Sequence, residues 1–229
     1  MPATPFHSLD AVIVDLDGTM IDTVPDFELA LAGALGDLGY PPVGRAFIGR
    51  TVGKGSEHLL RCTLAKVGAP AELYDRAWEA YQRHYLVING QRSAVFPGVV
   101  EGLERLRAGG LRLACLTNKP TAFAKPLLAD KGLAGYFELV FGGDAFARKK
   151  PDPLPLLKTC EALGTLPART LMVGDSSNDA EAARAAGCPV VLMTYGYNHG
   201  EPIADARPDA LLDRLDLLVW PPQASPVSA

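Results

Sequence analysis

Apolar residues follow two alternating textures along this chain. Short, mainly apolar runs recur at residues 11–14, 111–116, 139–141, 170–173 and 189–194. Runs of this kind, with β-branched residues bunched and no polar alternation, predict strands buried on both faces. Between them the apolar positions fall three and four apart, which predicts helices. Phe27, Leu31, Leu35 and Leu38 make one such face, closed by Gly39. Its start carries a possible capping hydroxyl in Thr23, an early proline in Pro25 and acids in Asp26 and Glu28. A second helix is predicted over 56–67, with Leu59, Leu60, Leu64 and Val67 on one side. A third is predicted over 72–85, with Tyr74, Trp78, Tyr81 and Tyr85 at helical spacing. Further helices are predicted over 98–108, after residue 120 with Pro126 marking the start, over 154–163 before Gly164, and over 179–186 before Gly187. Residues 210–212 predict an edge strand and 213–219 a last helical turn.

Strands that alternate with helices imply a parallel sheet with right-handed crossovers. No convincing strand falls between 21 and 93, so the segment after the first strand reads as an all-helical insert. The expected fold is α/β: a Rossmann-like core of residues 1–20 and 94–229, with a helical cap domain of residues 21–93. Residues 2–8 and 221–229 read as disordered ends.

At 229 residues the chain can bury a large core, and 48% hydrophobic with 21% charged residues is ordinary for a water-soluble protein. The net charge of −4 argues against a nucleic-acid partner, which would call for a basic face. With that charge and their helical period, the tyrosines and Trp78 read as a helical core, not a base-stacking platform. The four cysteines are far apart and lack metal-ligand spacing; Cys115 and Cys160 lie in apolar patterns and are expected in the core. The first ten residues lack a signal-peptide pattern, and no apolar run is long enough to span a bilayer. The expectation is a cytoplasmic protein with no membrane partner.

Chemistry concentrates where strands end. The first run ends in Asp15-Leu16-Asp17-Gly18, placing two carboxylates on one side of a strand end and a glycine free to turn sharply. Two repelling carboxylates call for a divalent cation. The next strand ends in Thr117 and Asn118, and a later one in Asp175, followed four residues on by Asp179. In a parallel sheet these ends share one edge, where ligands of open α/β sheets bind. A loop adds Lys150. Carboxylates, an ammonium, a hydroxyl and a hard cation suit phosphoryl transfer: one carboxylate forms an acyl phosphate, another shuttles a proton, and the cations offset charge. Gly49 to Ser56 superficially suggests a P-loop, but the glycine spacing is wrong and no strand precedes it. His7, His58, His84 and His199 show no ligand spacing.

Asp15-Leu16-Asp17-Gly18-Thr19, Thr117-Asn118, Lys150-Pro151 and Gly174-Asp175 through Asp179 resemble the four ordered motifs of the haloacid-dehalogenase superfamily. The resemblance covers nearly the whole chain, cap included. It implies that Asp15 is the nucleophile and forms an aspartyl phosphate. Asp17 then acts as acid and base. Thr117 binds phosphate oxygens, with Gly18 and Asn118 also on the substrate, and Lys150 holds Asp15 and the phosphoryl group. Mg²⁺ is implied at the Asp15 carboxylate, the Asp17 backbone carbonyl and Asp175. Asp179 is implied to orient Lys150 or a metal water; its plain alternative is a charge at a helix N-terminus. The acid at Asp17 argues against dehalogenation, because halide needs no proton.

A narrower likeness links Asp22-Thr23-Val24-Pro25-Asp26, Val52-Gly53-Lys54-Gly55, Thr117-Asn118-Lys119-Pro120 and Thr194-Tyr195-Gly196-Tyr197-Asn198 to the bacterial phosphoglycolate phosphatase family. Met20 and Lys54 depart from that family's usual leucine and asparagine. The likeness implies 2-phosphoglycolate as the small phosphorylated metabolite, with Lys54 and Arg50 expected to read its carboxylate; the plain alternative for Lys54 is a solvated surface lysine. Another phosphatase or a β-phosphoglucomutase-like enzyme of the superfamily shares the chemistry, and phosphate release separates hydrolase from mutase. A non-catalytic binding protein is the third reading. The intact Asp15, Asp17, Lys150 and Asp175 weigh against it, because buried like charges are costly to keep.

Overall fold

The computed structural model describes residues 8–220. Six parallel strands form one sheet in the order β5-β4-β1-β6-β7-β8: Leu139–Phe141, Arg112–Leu116, Ala11–Val14, Thr170–Gly174, Val190–Met193 and Ala210–Leu212. β1 lies between β4 and β6, the point where the strand order reverses and where open sheets bind ligands. The short apolar runs form these strands because both sheet faces are covered. Val12 and Val14 pack with Leu103 and Leu127 on one side, and Ala11 and Ile13 pack with Leu156 and Ala183 on the other. The first of these helix pairs is α5 (Val99–Ala108) and α6 (Thr121–Asp130), and the second is α7 (Leu154–Leu163) and α8 (Ser177–Ala186). Cys115, Cys160 and Cys188 are buried free thiols. No helix among the described residues is long and apolar enough to cross a membrane.

The insert after β1 holds α1 (Val24–Asp37), α2 (Arg45–Thr51), α3 (Ser56–Lys66) and α4 (Tyr74–Ile88), with their own apolar core. The aromatic stripe of α4 is a stack: ring centroids of Tyr81 and Tyr85 lie 5.4 Å apart, and both rings are fully buried. Phe123 of α6 closes that core from the sheet side, edge-on to Tyr85 at 4.8 Å.

Several local expectations change. Ile21–Asp22 and Ala94–Val95 pair as a two-stranded antiparallel ribbon, β2 and β3, at the two ends of the helical insert. Strands this short have no readable period. α2 lacks a full apolar stripe, which is why the pattern misses it. Pro126 lies inside α6, not at its start. It is on the exposed side, as is Ala122, whose carbonyl it cannot bond. Thr23 stands at the α1 N-cap position but its hydroxyl caps nothing; that oxygen is buried without a partner, and the Thr23 and Val24 amides donate to the Tyr197 hydroxyl instead, at 2.9 and 3.3 Å. The readings for residues 2–7 and 221–229 lie outside the described residues.

Candidate active site

Sheet register assembles the site. Val14 pairs with Cys115 on β4 and with Val173 on β6, so the residues just beyond these strands sit abreast. Asp15, Thr117 and Asp175 emerge together there, all buried. The chain then turns tightly: the Met20 and Ile21 amides both donate to the Leu16 carbonyl. Gly18, at φ 84°, is required in this turn, because a Cβ there would lie 2.2 Å from Asp175 Oδ2.

Lys150 is the hub. Its ammonium donates to the Leu116 carbonyl at 2.8 Å and to Asp179 Oδ1 at 2.7 Å, and stands 3.0 Å from Asp15 Oδ1. Asp179 Oδ2 accepts from the Asp175 amide, the Ser176 amide and the Ser176 hydroxyl. Asp179 is thus both a cap of α8 and the anchor of Lys150. Asp175 Oδ1 accepts from the Thr19 hydroxyl and Oδ2 from the Tyr197 amide at 2.7 Å. Burial pushes the Asp15 carboxyl up to about 7, against the pull of Lys150 and with a further push from Asp179. Burial, Asp179 and Asp15 push Asp175 well above the carboxylate range. Burial opposes the Lys150 charge, but Asp15 and Asp179 outweigh it and raise its pKa.

Carboxylate oxygens of Asp15, Asp175 and Asp179 lie within 4.8 Å of one another. Asp15 Oδ1 is buried and accepts no hydrogen bond. Three hard oxygen donors that repel one another, one of them held only by the Lys150 ion pair, fit a hard divalent cation. Asp179 is the least suited ligand, because the Lys150 ammonium takes its Oδ1 and three donors crowd its Oδ2. The Asp17 side chain turns elsewhere, to Lys119, leaving its backbone as what it can offer an ion there.

Between the sheet edge and the insert lies a cleft lined by Asp15, Asp17, Thr117, Asn118 and Lys119 from below and by Phe27, Val52, Gly53, Gly55, Ser56 and Leu59 from above. Asn118 lines it, but its side chain ties the chain together: Nδ2 donates to the carbonyls of Gly53 and Lys150, and Oδ1 accepts from the Lys150 amide. Lys54 and Arg50 are exposed and do not line the cleft. The Gly53 carbonyl is drawn inward by Asn118 and by Asn178 Nδ2 at 3.1 Å, so the glycine-flanked loop presents backbone to the site and leaves Lys54 in solvent. Arg50 packs along Gly200.

Lys119 has no role in the sequence reading, although it stands in the Thr117-Asn118-Lys119-Pro120 motif. It is buried, donates to Asp17 Oδ1 at 3.0 Å and to the Tyr85 hydroxyl at 2.6 Å, and lies over the rings of Phe27 and Tyr85 at 4.4 and 4.7 Å. Burial lowers its pKa, with Asp17 opposing. The signal that could have found it is a lysine directly after a polar strand end.

A parallel sheet with a helical insert after its first strand, and an aspartate-lysine cluster on its edge, defines a phosphoryl-transfer hydrolase. The chain belongs to the haloacid dehalogenase-like hydrolase family, whose sequence model matches residues 9–187. It is 43% identical over 210 residues to a phosphoglycolate phosphatase of Thiobacillus denitrificans, covering 90% of this chain and 92% of that protein. It is 44% identical over 210 residues to one from Nitrosospira multiformis, with 90% and 92% covered. The crystal structure of a protein from Haemophilus somnus, described as a predicted phosphoglycolate phosphatase, superposes with a TM-score of 0.86 at 33% identity, covering 91% of this chain and 95% of that one. The chain is a phosphatase of this family and acts on a small phosphorylated substrate.

Proposed function

We propose that the protein hydrolyses 2-phosphoglycolate to glycolate and phosphate in the cytoplasm, with Mg²⁺ and through a phosphoaspartate at Asp15. The observation that carries this reading is Asp15 Oδ1: a buried carboxylate oxygen whose partner is the Lys150 ammonium, an ion pair at 3.0 Å. Such an oxygen is left with its lone pairs for an incoming phosphorus or cation. The choice of substrate is supported by relatives over 40% identical that carry the name phosphoglycolate phosphatase.

In this reading the Asp15 carboxylate attacks phosphorus. Asp17 gives a proton to the leaving ester oxygen and later takes one from the water that hydrolyses the phosphoaspartate. Thr117 and Lys150 hold phosphoryl oxygens, and Asp179 keeps Lys150 in place. The Asp15 and Asp175 carboxylates and the Asp17 backbone carbonyl would hold Mg²⁺, which when bound supplies charge that stabilises the developing phosphoryl oxyanions. Residues 21–93 act as a cap over the rest of the chain and exclude water from the phosphoaspartate.

The test is phosphate release from 2-phosphoglycolate and a panel of other monoesters, with Mg²⁺, with EDTA, and with Asp15→Asn. The expected outcome is a strong preference for 2-phosphoglycolate, with turnover lost in EDTA and in the variant. Metal-dependent turnover of a different ester would move the substrate assignment, and turnover that survives Asp15→Asn would overturn the mechanism.

A further inference from the structure

We propose that Lys119 is the residue that reads the carboxylate of the substrate, an inference that rests on the phosphoglycolate reading above. The ester oxygen of the substrate must meet the acid at Asp17. In 2-phosphoglycolate the carboxylate carbon is two bonds from that oxygen. A cation that recognises it must therefore adjoin Asp17 on the side of the cleft facing the insert.

Lys119 occupies that place. Its Nζ is 3.0 Å from Asp17 Oδ1, it lines the same cleft as Asp15, and its side chain is fully buried. It is the cation among the described residues lining the cleft. An ammonium carries three protons. The Asp17 carboxylate, with its two oxygens at 3.0 and 3.4 Å, takes one of these as a forked acceptor and the Tyr85 hydroxyl takes a second, which leaves one donor for a ligand oxygen. The rings of Phe27 and Tyr85 flank the ammonium and favour its charge in a site closed to water. The three residues that fix it divide between sheet edge and insert: Asp17 comes from the strand end, Phe27 and Tyr85 from α1 and α4.

The bland alternative is that Lys119 only positions Asp17. The two roles differ in what they do to selectivity. Loss of a positioning group slows every ester alike, whereas loss of a reading group penalises only the ester with a carboxylate. The experiment compares 2-phosphoglycolate with ethyl phosphate, which has a methyl group in place of the carboxylate, in wild type, Lys119→Met and Lys119→Arg. The wild type is expected to prefer 2-phosphoglycolate. In Lys119→Met the ratio of the two kcat/KM values is expected to fall by about ten- to a hundredfold, the scale of one charge-assisted hydrogen bond, with KM for 2-phosphoglycolate rising. Lys119→Arg is expected to regain most of the ratio. If circular dichroism shows the methionine variant unfolded, the ratio is read on Lys119→Gln, which keeps donors for Asp17 and Tyr85. An unchanged ratio, with both rates reduced by the same factor, would overturn the role of Lys119 and leave the substrate reading standing. A wild type with no preference for the carboxylated ester would overturn the substrate reading, and the role of Lys119 with it.

Discussion

Asp15 holds a proton near neutral pH when no cation is bound, because burial lifts its carboxyl from 3.8 to about 7. The unfolded chain releases that proton near pH 4. Between these values the folded state binds more protons than the unfolded one, so its stability must fall as pH rises through the window. The contribution is complete below about pH 4 and lost above about pH 7. Asp175, lifted by burial, Asp179 and Asp15, acts in the same direction. In metal-free protein, the melting temperature of the wild type relative to Asp15→Asn should therefore decline from about pH 5 to about pH 8, since the asparagine variant lacks this titration. A divalent cation reverses the trend by binding the ionised pair, so Mg²⁺ should stabilise the wild type more at the higher pH. Thermal melts at the two pH values check this; a difference between the two proteins that does not change with pH would contradict it. Asp15, Lys150, Asp175 and Asp179 were legible in the sequence because each follows a short apolar run or stands in a motif only a few residues long. Lys119 was not legible in role. What it does depends on Phe27 and Tyr85, which reach it only through the packing of α1 and α4 on the sheet edge.

Helix α1 shows how an element can be predicted well and still be misread in detail. Its apolar face and its acidic first turn are plain in the sequence, and Asp26 there suggests a charge on the helix dipole. In the structure Asp26 is completely buried and works across elements. It accepts from the Gly90 and Arg92 amides, both at 2.7 Å, and from the Ser93 hydroxyl. These residues carry the chain from α4 back to β3, so one carboxylate fixes the exit of the insert to the helix that begins it. Asp26→Ala would leave three donors without their acceptor, and the expected cost is about 3–4 kcal/mol of unfolding free energy. Asp26→Asn keeps one acceptor oxygen and should cost less. Urea denaturation of the two variants checks the order; equal and small losses would mean that water replaces the carboxylate. The ribbon of Ile21–Asp22 with Ala94–Val95 and the short helix Arg45–Thr51 escaped the sequence for a related reason. Their stability comes from neighbours distant in sequence, and neither is long enough to show a period.

At the scale of the whole molecule, the insert meets the sheet through a small set of polar ties around the cleft. The Gly53 carbonyl accepts from Asn118 at 2.9 Å and from Asn178 at 3.1 Å, and Glu57 pairs with Lys149 at 2.7 Å. The sequence singled out Lys54 in this loop, because a glycine-flanked cation suggests a ligand contact. The chain instead uses the glycines to bring a carbonyl to the sheet edge and leaves the lysine outside. How an inserted unit docks is written in such pairings, and they are invisible to motif and period. The ties differ in what they hold. Asn118 also clamps the backbone of Lys150, so its loss would disturb the cluster itself. Asn178 is buried, and apart from a 3.2 Å approach to His199 Nε2 its amide serves the Gly53 carbonyl. Glu57 and Lys149 are partly exposed, and a pair of that kind is worth little in water. Asn178→Ala should therefore lower kcat/KM about fivefold, the scale of one hydrogen bond that forms only with the insert seated. Glu57→Ala should change it less than about threefold. Steady-state kinetics on the phosphate ester that the wild type prefers checks the ranking. If the glutamate variant lost more than the asparagine variant, the seating of the insert would depend on long-range charge and not on the buried carbonyl.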